Sequence, residues 1–232
     1  MSVHRLPVLT SLAPARLELM AAAGEEMAAA ERALARQGFN VVGRLLRDEG
    51  PFYAWDHYPA GDVYDPEHGA QYFYHAHGAA ERPEGEHGHF HSFVRPSATG
   101  KLHHLVAVAV GHASRPIRLF TVNSWVTEDS WIAAPATIRL LDRFILEGGR
   151  PSRWVNRWLA ALLRLFRPEI EHLLHERDAA LTAWQARHKG QDPFTARDLE
   201  ILSELPVSAA AQRDAVTRAL ARAVDAGKVR VR

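Results

Sequence analysis

The segment Glu86–Pro96 reads EHGHFHSFVRP and places His87, His89 and His91 at every second position. A dozen residues earlier, YHAH puts His75 and His77 in the same rhythm. Side chains alternate across an extended strand, so residues of one parity share a face. Five imidazoles on one side of two short strands cannot all carry protons, and buried without partners they cost free energy. A divalent transition metal resolves both problems, because neutral imidazole is its commonest protein ligand. The expected ligands are His75, His77, His89 and His91, with Zn, Fe, Mn or Ni as the ion. Glu86, His104 and Asn123 are the expected catalytic groups beside it. Glu81 is a further candidate carboxylate, and His57 and His112 are outer candidates.

The elements that must position these residues follow from periodicity. QYFYHAH (71–77), HGHFHSFV (87–94), LHHLVAVAV (102–110) and IRLFTVN (117–123) are four strand-like runs separated by turn formers, which predicts an antiparallel meander. In a simple hairpin His75 opposes His89 and His77 opposes His87. Continuing the register sets His104 opposite His91 and Val106 opposite His89, and brings Asn123 beside His104. Val106, Val108 and Val110 would then share the histidine face. Tyr72, Tyr74, Phe90 and Val94 form the apolar opposite face, which helices are expected to cover. The loop holding His57, together with Trp125, is expected to roof the site.

Helical spacing marks residues 14–37, started by Pro14 and stopped by Gly38. After Asn123 the pattern turns helical again. One helix runs from Pro135 toward Leu146, a second is capped by Ser152, and a third spans 168–188. Two shorter helices broken at Pro206 complete the reading. The predicted fold class is α+β: an antiparallel sheet of about four or five strands covered by an N-terminal helix and C-terminal helices. Residues 1–190 are expected to form one domain and 191–232 a helical extension packed on it.

Composition narrows the function. A formal net charge of +1 provides no global field toward nucleic acid or an acidic membrane. The absence of cysteine excludes disulfides, thiolate metal sites and cysteine nucleophiles. No apolar run reaches the roughly 18 residues of a membrane span, and the first twenty residues lack a signal-peptide core. Together with the abundant arginine and alanine, these features lead to the expectation of a bacterial, cytoplasmic protein that acts on a small molecule. The terminal KVRVR is too short a basic tail to argue for nucleic acid. Glu169-x-x-His172 has the spacing of a helical carboxylate–imidazole pair but no second copy, and reads as a solvated face.

Three resemblances accompany these residues. Gly69, His75, His77, Glu81 and Gly88 follow the spacing of the first cupin motif, which implies His75, His77 and Glu81 as metal ligands, although the second cupin motif does not follow. HGHFHSFV resembles the histidine-triad motif of nucleotide hydrolases and transferases, which implies a metal-independent reaction with His89 as nucleophile. The blocks YFYHAH, EHGHFH and NSWVTEDSW together resemble an uncharacterised bacterial family, which implies a fold but no activity. The leading reading is a metal-dependent hydrolase or oxygenase. The alternatives are a histidine-triad nucleotidyl enzyme and a non-catalytic metal- or haem-binding protein.

Overall fold

The computed structural model describes residues 8–226, so the KVRVR tail and the first seven residues lie outside the described residues. Helix α1, Pro14–Ala35, carries proline at its first turn and buries Leu17, Met20, Met27, Ala30 and Leu34 along one stripe. Gly38, with φ of 78°, reverses the chain behind it. Helix α2, Val41–Leu46, which periodicity did not reveal, is capped by the Asn40 side chain accepting from Gly43 N–H.

The sheet has six antiparallel strands in sequence order: β1 Tyr58–Tyr64, β2 Ala70–His75, β3 Glu86–Val94, β4 His103–Gly111, β5 Pro116–Val122 and β6 Ile201–Pro206. The expected α+β class and meander hold, with a strand added at each edge. β1 escaped notice because YPAGDVY is full of turn formers. Proline and glycine are tolerated there because β1 is an edge strand, broken by an irregularity between Tyr58 and Val63. β6 corrects the expected helical reading of the tail: ILSELP pairs with β5. Helix α7, Ala209–Asp225, follows once Ser208 caps it.

Between β5 and β6 lie α3 Ser124–Thr127, α4 Ala134–Leu140, α5 Arg153–Leu165 and α6 Arg167–Arg187. The α4 segment stops well short of Leu146, whereas Ser152 caps α5 as its position suggested. α5 buries all of its surface except a narrow stripe carrying Arg153, Arg157 and Arg164, and packs its apolar side into the helical layer. Its Trp158 packs on Phe90 of the sheet and donates to Glu31 of α1. Tyr72, Tyr74, Phe90 and Val94 face this helical core as expected, and the Tyr72 hydroxyl donates to buried Asn156. None of the helices among the described residues is long and apolar enough to cross a membrane.

The other face carries the histidines, and its register differs from expectation beyond β3. His75 opposes His89 as predicted, but His91 opposes Ala107 and His89 opposes Ala109. Leu105 is an extra residue in β4 between the pairs Ser92–Val106 and Phe93–His104. One inserted residue flips the parity of everything beyond it. Val106, Val108 and Val110 therefore join the helical core, and the small Ala107 and Ala109 face the imidazoles. His104, on the near side of the bulge, opposes Phe93 and not His91.

Gly88 is the second device. A Cβ there would meet the His75 carbonyl and the Tyr74 hydroxyl at less than any normal contact. Only glycine lets β2 and β3 approach closely enough for His75 and His89 to touch. Gly88→Ala is therefore expected to lower stability by about 1–3 kcal/mol through overpacking and to separate the two imidazoles. Urea denaturation together with the metal affinity of the folded fraction checks both effects.

Candidate metal centre

β2 contributes His75 and β3 contributes His89 and His91, all buried. One ring nitrogen from each lies within 4.8 Å of the others. The closest approach is Nε2 of His75 to Nε2 of His89, at 2.7 Å. Two imidazole nitrogens meeting head-on must share either a proton or a cation.

Each of the two β3 histidines is held from behind. Glu86 Oε1 lies 2.7 Å from His89 Nδ1, so that nitrogen donates and Nε2 turns its lone pair toward His75. Arg118 donates to the other oxygen, Glu86 Oε2, at 2.9 Å and to Glu204 at 2.6 Å. The buried carboxylate is thus fixed from two sides. Burial alone would raise the Glu86 pKa, but the hydrogen bonds and charges of His89 and Arg118 outweigh it and hold it below the usual carboxylate value. On the second histidine, His91 Nδ1 lies 3.1 Å from His104 Nε2, and the His104 backbone N–H donates to Asp129.

A bulge explains how Glu86 reaches His89. His87 is an extra residue between the pairs Glu86–Gly111 and Gly88–Val110, so Glu86 shares the face of His89 despite an odd separation. The same bulge removes His87 from the expected convergence. Its Nδ1 meets the Tyr74 hydroxyl at 2.5 Å, and its ring lies beside His112. His77, just beyond β2, is only partly buried and stacks on Trp55 at 4.1 Å, with its ring 5.1 Å from that of His89. Its place is the wall of the site. His104 is buried and reaches the centre only through His91. Asn123 is not beside His104 in hydrogen-bonding terms: its amide donates to the Pro193 and Leu199 carbonyls and ties β5 to the segment before β6. Trp125 does not line the site, and its ring lies under Arg197; Trp55, from the loop holding His57, lines it instead. His57 stacks on Phe73 at 3.6 Å and meets His75 edge-on.

His89 and His91 open into a cleft of about 610 Å³. Trp55 and His77 form one wall, Phe120 and Val122 the floor, and Glu81, Asp198 and Glu200 the rim. Trp55, Arg118 and Phe120 were missed from the sequence. The available signal was a lone charged residue, Arg118, in β5, at the parity of Phe120 and Val122.

Residues 21–207 match the family described as a domain of unknown function, DUF6969. The chain belongs to this family. The match runs from within α1 to the residue after β6, so all six strands and every residue of the centre lie inside the DUF6969 domain. No curated protein and no solved structure matches the chain.

Burial, joined by the nearby His89, His77 and His57, pushes His75 down to about 2, and burial with Arg177 and His89 pushes His104 down to about 3. Burial likewise holds His91 well below its ordinary value. These rings are therefore neutral at physiological pH, the form that binds metal. In the unfolded chain they take up protons near pH 6.5, so below that value the unfolded state binds more protons and stability falls with acidification. In metal-free protein, stability is expected to decline from about pH 6.5 downward, and His104→Gln should flatten the decline. Urea denaturation at pH 7, 6, 5 and 4 measures the slope. Separately, Glu86→Gln is expected to weaken metal affinity about 10–100-fold by releasing the His89 ring, as read by competition with a chelating dye.

Proposed function

We propose that this chain is a metal-dependent enzyme acting on a small molecule, with its divalent transition metal held by His75, His89 and His91. The observation that carries the reading is the convergence of three buried imidazole nitrogens within 4.8 Å, two of the rings being oriented from behind by Glu86 and His104. Nitrogen-rich sets of this kind suit Zn, Fe or Ni, with Mn less favoured because it prefers oxygen donors. Three neutral ligands leave the ion's double charge undiminished. A water on the open side would then ionise near pH 7 and act as a nucleophile.

The cleft beside His89 and His91 favours a catalytic centre over a purely structural one, since structural sites close their coordination sphere. The nucleotidyl-transfer alternative fits less well. Both His89 ring nitrogens are already engaged, and the rim of Glu81, Asp198 and Glu200 would repel a phosphate. A cytoplasmic setting agrees with the lack of cysteine and is part of the proposal.

Protein purified without a histidine tag is expected to carry about one transition-metal ion per chain. The double variant His75→Ala/His89→Ala should carry none. Elemental analysis decides it, and native protein that holds no metal and also binds none of Zn, Fe, Mn or Ni would sink the proposal.

A further inference from the structure

We infer that the cleft receives a small molecule bearing a positive charge: an amine on a compact apolar body. This deepens the proposed function, and rests on it for chemistry but not for binding. Glu81, Asp198 and Glu200 are exposed on the rim, and none of them forms an ion pair among the described residues. Arg118 is the single arginine or lysine lining the cleft. Its guanidinium is committed to Glu86 and Glu204 and lies 4.3 Å over the Phe120 ring. The carboxylates therefore face the cleft uncompensated. Even with a doubly charged ion seated on the histidines, three such carboxylates leave the space net negative. Concave walls of low dielectric focus that field onto a ligand.

Two further features point to an occupant. Trp55 is 55% exposed although it stands at the cleft, with its ring stacked on His77 and available as an aromatic surface for a cation. His91 is only 1% exposed and its side chain still lines the cleft, so the space runs inward from the aromatic wall to the buried histidines. A molecule placed there has the metal ligands at its inner end, Phe120 and Val122 beneath it, and the acidic rim at its outer end. An ammonium group suits that outer end, and a phosphate or carboxylate does not.

The test uses the full chain, both as purified and after addition of one equivalent of Zn. Benzylamine and its neutral isostere benzyl alcohol are titrated while NMR shifts are followed, and metal content is measured on the same samples. Benzylamine is expected to bind about tenfold more tightly than benzyl alcohol, in both samples. The exposed-site variant Glu81→Gln/Asp198→Asn/Glu200→Gln should cut that preference to about twofold or less while keeping wild-type circular dichroism and metal content. Trp55→Ala should weaken the amine more than the alcohol. Equal affinities for amine and alcohol, or a preference that survives the triple variant, would overturn the inference. An amine preference in protein that binds no metal would uphold it and overturn the metal-centre proposal alone.

Discussion

The contact between the Nε2 atoms of His75 and His89, 2.7 Å apart in a buried pocket, is the constraint around which the histidine face is arranged. Imidazoles brought together out of water must remain neutral and must each find a partner for their nitrogens. The surroundings meet both demands. Burial suppresses protonation of His75, His91 and His104, and Glu86 and His104 take up the rear nitrogens of the two β3 histidines. Glu86 in turn requires Arg118, since an unpaired buried carboxylate would be costly or would take up a proton.

That single contact also dictates backbone features some distance away. β2 and β3 approach closely only because Gly88 has no side chain to strike the His75 carbonyl. The neighbouring strand must present small residues to the ring faces, and the Leu105 bulge delivers Ala107 and Ala109 in place of valines. The His87 bulge performs a related service by turning Glu86 onto the histidine face. Two inserted residues, one in each of two adjacent strands, thus convert a regular meander into a framed cavity with a charged support beneath it.

The two faces of the sheet divide the labour. The helical face, built on Tyr72, Tyr74, Phe90 and the valines of β4 against α5, supplies the bulk of the core. The histidine face has only a minor apolar cluster of Ala107, Ala109, Phe120 and Val122. It is therefore free to be polar inside and open at one end. Residues from the segment preceding β6, Asp198 and Glu200, reach the cleft because Asn123 binds that segment to the end of β5.

Much of this was legible from the sequence. Alternation in YHAH and EHGHFH identified the strands, the shared face and the His75–His89 pairing, because a period of two leaves a local mark on the chain. Pro14, Gly38 and Ser152 marked helix ends for equally local reasons. Register beyond the first hairpin was not legible: LVAVAV is apolar at every position, so nothing in it distinguishes one parity from the other, and the Leu105 bulge decides which residues meet the histidines. β1 and β6 were hidden because edge strands tolerate prolines and polar residues that a central strand would refuse. The parts played by Arg118, Trp55 and Asp198 arise from contacts between residues far apart in sequence, and chain folding alone determines them. The residue types able to bind a metal were thus written locally, whereas the choice of which three converge, what supports them and what charge surrounds them belongs to the tertiary structure.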